Sequence, residues 1–165
     1  MHLILLVGIF GGFAAIGVTV YCYGRERKRF FESLSAFCRH LNTEISFSKN
    51  ELARVIESYQ HAYSKSFLNT LTGYKNLLDT KQDITHQTLT PYMWHRLRPE
   101  ERSHVSEFFL NLGRHGAKEE IEKLESAHSH FTTLHQTAAT RLKKEATLYL
   151  KLFIIMGIAC VILLF

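Results

Sequence analysis

The sequence predicts an all-α protein: a compact cytosolic helical bundle flanked by N- and C-terminal transmembrane helices, the last helix running continuously into the membrane. Three observations predict it. Leu3–Tyr23 carries no Asp, Glu, Lys, Arg or His over 21 residues, and Leu152–Phe165 carries none over 14. Basic residues stand just inside both segments: Arg25, Arg27, Lys28 and Arg29 after the first, Arg141, Lys143, Lys144 and Lys151 before or within the second. Between them, apolar residues recur at steps of three and four, and the whole chain holds only 2 prolines, a pattern of helices rather than strands.

A membrane span needs about 20 apolar residues to cross about 30 Å of hydrocarbon. Leu3–Tyr23 meets this requirement. The second segment approaches it when counted from Leu148, with Lys151 laying its aliphatic stem along the helix and lifting its ammonium to the headgroups. Inner flanks of spans are enriched in Lys and Arg, so both basic clusters belong on the same, inner side. The predicted division is a span over 1–24, a cytosolic domain over 25–147 and a span over 148–165. No Lys or Arg precedes the first apolar run, and it closes on Tyr21-Cys22-Tyr23-Gly24. It therefore reads as a retained anchor with its N-terminus outside, not as a cleaved signal peptide. Gly8 and Gly12 stand one turn apart, as do Gly11 and Ala15. Small residues at this interval let helix backbones approach closely in lipid, either between the two spans of one chain or between copies.

The formal net charge of +5 is topological. Each flank contributes four basic residues against one acid, which leaves twelve basic and thirteen acidic residues in 30–140, a net of −1. A nucleic-acid binder needs a basic face on the domain itself, so that class is excluded. The flanks remain suited to anionic lipid headgroups. Cys22, Cys38 and Cys160 form no disulfide framework, which fits a reducing compartment and free thiols.

Along the domain, Phe30, Leu34, Phe37, Leu41 and Ile45 draw one apolar stripe on a helix that continues out of the first span. Ser46–Asn50 breaks it. Ser48 with Glu51 fits a capping box, opening a second helix with Leu52, Val55, Ile56 and Tyr59 on one face. Phe67, Leu68, Leu71, Tyr74, Leu77 and Leu78 keep helical spacing, although Gly73 costs about 1 kcal/mol against Ala there. Asp79–Thr90 is polar and reads as a loop. Pro91 suits the first turn of a short helix carrying Trp94 and Leu97. Pro99-Glu100-Glu101 is a stronger start, with proline early and acids in the first turn. Val105, Phe108, Phe109 and Leu112 form the buried face of that helix, and Gly113 supplies a left-handed stop. From Ala117, Ile121, Leu124, Phe131, Ala138 and Leu142 mark one long helix, or two nearly collinear ones, reaching Phe165. A rigid connection of this kind would transmit force or orientation, and a break at Thr147 would remove it.

Chemistry is scarce in these residues. His128 and His135 share a helix face two turns apart, too far for one ion without further ligands, and half-buried imidazoles bonded to neighbours are the expectation. There is no His-Glu-x-x-His, no Cys-x-x-Cys, no Gly-rich phosphate loop and no nucleophile–base spacing. The expectation is a protein that is not an enzyme and uses no cofactor or metal.

Leu41-Asn42-Thr43-Glu44-Ile45-Ser46-Phe47, together with Phe109-Leu110-Asn111-Leu112-Gly113 and with Trp94 and Leu97 ahead of it, resembles the pattern of the stage III sporulation protein AB family. The departures are Asn50-Glu51-Leu52, where that family often has Thr-Pro-Leu, and Gly116 and Glu120, where Asp and Gln are usual. The resemblance implies a bundle of about six helices, similar to the cytosolic domains of type II secretion inner-membrane platform proteins. It also implies a place in the channel joining mother cell and forespore, on the mother-cell side of the outer forespore membrane. The implied partners are other channel subunits and a secretion-type ATPase like stage III sporulation protein AA. Glu44, Phe47, Gly113 and Gly116 are the candidate partner contacts, against plain roles as a helix-end acid and helix terminators. Two other readings stand beside this one: a self-associating membrane scaffold without an ATPase, and a metal or small-ligand sensor using the histidines.

Overall fold

Among the described residues the protein is helical throughout, with six α-helices, one 3-10 turn and no strand. The computed structural model describes residues 2–47, 52–59, 63–114 and 116–164, leaving out the side chains of 2–7, 9, 10, 13, 14, 45–47, 150, 154, 157, 158 and 160–164. Helix α1 (His2–Phe47) carries the expected stripe: Phe30, Leu34, Phe37 and Leu41 are fully buried. Helix α2 (Leu52–Ser58) follows, burying Val55 and Ile56; the capping box expected at Ser48 and Glu51 lies outside the described residues. Helix α3 (Lys65–Asp79) starts where the Ser64 hydroxyl accepts the Phe67 N–H at 3.1 Å.

The stretch after α3 differs from expectation. Within the supposed loop, α4 (His86–Leu89) forms because Thr85 and Thr88 cap each other: the Thr85 hydroxyl accepts the Thr88 N–H at 3.3 Å, and the Thr88 hydroxyl accepts the Thr85 N–H at 2.9 Å. Leu89, fully buried, anchors this turn. Pro91 sits in the 3-10 turn Thr90–Tyr92 rather than opening a helix with Trp94 and Leu97. Extended backbone at Met93 (ψ 140°) ends it, and Thr70 Oγ1 donates to the Tyr92 carbonyl at 2.9 Å, holding the segment against α3. Helix α5 (Pro99–Asn111) begins as the sequence indicates, with the Arg98 N–H donating to Glu101 Oε2 at 3.1 Å. Helix α6 (Ala117–Leu164) runs unbroken through Thr147.

The chain forms two compact units, Arg29–His135, and Met1–Lys28 with Gln136–Phe165. The boundaries between them fall inside α1 and α6. The first unit is built on rings. Phe30 lies 5.6 Å from Trp94 and 5.8 Å from Phe67, and Phe37 lies 5.2 Å from Tyr59. His128 is half-buried, with Nδ1 3.0 Å from both the carbonyl and the hydroxyl of Ser35. A carbonyl only accepts, so in that contact Nδ1–H donates.

Tyr59 supplies a pH-dependent element. Its hydroxyl donates to the Ser33 carbonyl at 3.1 Å, and burial pushes the phenol from 10 up to about 12, with Tyr63 and Cys38 adding to the rise. The folded state therefore favours the neutral phenol. Its contribution is complete below pH 10 and is lost as pH rises from 10 to about 12. Urea titrations across that interval should show stability falling, and Tyr59→Phe should flatten the fall.

In the second unit the terminal portions of α1 and α6 pack together. A Cβ at Gly17 would lie 3.5 Å from Phe153 Cε2, and one at Gly24 would lie 2.9 Å from Leu142 Cδ1. Among the described residues the close intrachain approach falls at Gly17 and Gly24. Gly8, Gly11, Gly12 and Ala15 are exposed, and added Cβ atoms on the three glycines meet nothing within 4 Å among the described residues. Arg27 is 5% exposed, and Arg141 pairs with Glu145 at 2.7 Å; neither presents a free charge to a surface. Arg25, Lys143, Lys144 and Lys151 are exposed, while Lys28 and Arg29 are half-buried. Among the described residues no helix is long and apolar enough to cross a membrane; most side chains of Leu3–Phe10 and several of residues 150–164 lie outside them.

Candidate functional site

The chain turns sharply between α5 and α6, and the turn is built from local chemistry. Leu112 leaves the helix with extended backbone, Gly113 takes φ +78°, and the Arg114 N–H reaches back to the Asn111 carbonyl at 3.3 Å. A positive φ favours Gly, since it has no Cβ to clash. The Gly116 carbonyl then accepts the Glu120 N–H at 2.9 Å, opening α6. Glu120 closes the corner a second time: its Oε1 accepts the Gly113 N–H at 2.9 Å. Of the expected contact residues, the structure thus brings Gly113 and Gly116 together through Glu120.

Glu44 is half-buried near the end of α1, and the Phe47 side chain lies outside the described residues. A Cβ at Gly113 would meet Leu52 Cδ2 at 3.5 Å, so the α5–α6 corner abuts the start of α2. Gly113 and Gly116 act here as backbone devices.

Beside this corner, α5 and the start of α6 enclose a groove of about 460 Å³. Leu112, Leu124 and Phe131 are buried at its base, with Phe108 and Ala127 half-buried above them. Phe108 stands edge-on to Phe131 at 5.5 Å and 90°. Its rim is polar: His104, Glu107, Asn111, Lys123, Ser126 and His130 are exposed. The His104 and His130 rings meet at 4.8 Å. The Lys123 ammonium binds Glu119 at 3.0 Å one turn back along α6.

Glu120 lines the same groove at only 5% exposure. Its Oε2 is buried and meets no hydrogen-bond donor among the described residues. Nearby Tyr74, whose ring lies 4.9 Å from Phe109, has its phenol pushed up by burial and further by the Glu120 charge. Sequence reasoning passed over this groove. His104 and His130 lie on separate helices, and Phe108 reads as an ordinary core residue. The one legible signal was an acid in the first turn of α6 at an apolar-stripe flank.

Fold and groove together define the class: an all-helical bundle protein with an apolar, acid-lined surface groove. Among the described residues no group of three or more His, Cys, Asp or Glu could hold a metal ion. The chain belongs to the stage III sporulation protein AB family, whose model matches residues 2–165, so it is a protein of sporulation. The resemblance carried by the Leu41–Phe47 and Phe109–Gly113 segments holds. The family description names no enzymatic activity. Comparison with curated proteins and with solved structures finds no match.

Proposed function

We propose that the chain is a non-enzymatic adaptor anchored in the membrane by both ends, linking a secretion-like channel complex of sporulation to a cytosolic ATPase of the secretion type. The observation that carries the membrane part is the inverted surface of the terminal unit. Ile16, Val18, Tyr21, Leu148, Leu152 and Ile155 are all between 46% and 63% exposed there. Large apolar patches on a water-facing protein mark an interaction with lipid or protein. The uncharged runs Leu3–Tyr23 and Leu152–Phe165 favour lipid. Exposed Arg25, Lys143, Lys144 and Lys151 then lie where the inner headgroups would be, with the 29–135 unit on the cytosolic, mother-cell side.

The family match supports a role in sporulation; the channel and the ATPase are part of the proposal. The full chain, solubilised in detergent from sporulating cells, should carry with it a soluble ATPase and resist carbonate extraction beforehand. Release by carbonate would overturn the anchoring. Recovery of the chain alone would overturn the ATPase link. That second outcome favours a self-associating scaffold, for which exposed Gly8, Gly11, Gly12 and Ala15 offer a face to another copy.

A further inference from the structure

We infer that the α5–α6 groove is the docking site for an amphipathic helix of a partner protein, and that Glu120 receives a Lys or Arg side chain from that helix. The inference rests on the adaptor reading only in requiring a protein partner, and it names the surface used. A buried carboxylate is strongly disfavoured unless its oxygens are paired, and buried polar atoms in native proteins are nearly always satisfied. Glu120 is 5% exposed, with Oε1 held by the Gly113 N–H and Oε2 unpartnered among the described residues. The fold pins this oxygen in place, because moving the side chain would release the N–H at the left-handed corner.

The surroundings specify the occupant. The groove's apolar base, Leu112, Leu124 and Phe131, fits the apolar stripe of a helix. Its electrostatics call for a cation: Glu107 adds a second acid on the rim, while the Lys123 charge is already engaged by Glu119. The bound ion pair would leave Glu120 with both oxygens satisfied. A guanidinium could span the groove mouth and an ammonium could reach it as a point charge.

The test uses the full chain in sporulating cells, with the photo-cross-linker p-benzoylphenylalanine placed at Ser126 on the rim, and at exposed Asn69 on α3 as the control. The cross-linked segment is identified by mass spectrometry. The expected result is a cross-link from position 126 alone, to a helical segment bearing Lys or Arg beside apolar residues. Glu120→Gln should reduce its yield about tenfold or more, as expected when one member of a buried charge pair is removed. The melting temperature should hold or rise, since the variant keeps the Gly113 acceptor and removes an unpaired buried charge. Independently of that variant, replacing the partner's Lys or Arg by Glu should also abolish the cross-link. A segment without a cation, no cross-link at 126, an undiminished yield in Glu120→Gln, or a melting temperature that falls with the yield would each overturn the inference. A cationic segment from a protein that is not an ATPase would overturn only the ATPase link.

Discussion

Phe30→Ala should lower the unfolding free energy by about 3–5 kcal/mol, the range for emptying a buried aromatic site. Phe30 is fully buried and makes three ring contacts: edge-on to Phe31 at 5.6 Å and to Phe67 at 5.8 Å, and stacked on Trp94 at 5.6 Å and 30°. These join α1, α3 and the segment ahead of α5, so the vacancy cannot be filled by one element settling inward. Dispersion contacts on three sides are lost together with the transfer term. Trp94 is the chain's single tryptophan, which gives the experiment its own reporter. Its emission should shift to the red in the folded variant, and urea titration followed at Trp94 should give the stability loss. Leu68→Ala, at a side chain 47% exposed on α3, should change stability by no more than about 0.5 kcal/mol. Equal losses at the two positions would show that Phe30 does not anchor the core.

Gly73→Ala tests a conflict between two magnitudes. By helix propensity alone, the substitution on α3 should stabilise by about 1 kcal/mol. The tertiary structure reverses the sign. A Cβ at Gly73 would fall well inside contact distance of Tyr92 Cγ, Cδ1 and Cβ. These atoms are the root of the Tyr92 side chain, not its flexible end, and the turn carrying them is tied to α3 by the Thr70 hydroxyl at 2.9 Å. Overpacking of this kind costs about 1–3 kcal/mol, occasionally more. The net expectation is destabilisation in thermal or urea unfolding. Tyr92→Ala should rescue it, and in the double variant the helix propensity of Ala should reappear as a gain. Stabilisation by Gly73→Ala alone would mean that Tyr92 moves aside freely.

Gly73 also shows why part of the architecture was hidden in the sequence. Read locally it is a weak point in a helix; only the approach of Tyr92, nineteen positions along the chain, makes it a fitted one. The same holds for α4. A run of threonines reads as loop because its capping is reciprocal between Thr85 and Thr88, a geometry that residue spacing does not announce. By position Pro91 suits a helix start, but it lies in a 3-10 turn, since its neighbour Tyr92 is held by Thr70. Which glycines receive a close approach among the described residues is hidden in the sequence for a related reason. Spacing finds every small-residue pair, whereas the partner's side chains, Phe153 and Leu142, decide that Gly17 and Gly24 receive the close approach.

By itself the sequence determined the helical class, the stripe from Phe30 to Leu41, the start of α5 at Pro99 and the stop at Gly113. Each is set by interactions within a few residues, where periodicity, capping and backbone freedom act directly. The tertiary structure alone decided that residues 29–135 form one unit, that Gly73 accommodates a ring, and that Glu120 lines a groove with one oxygen unpaired among the described residues. Those properties depend on which distant side chains meet in space, and burial, which sets the energy of a ring or a carboxylate, exists only after the helices have packed.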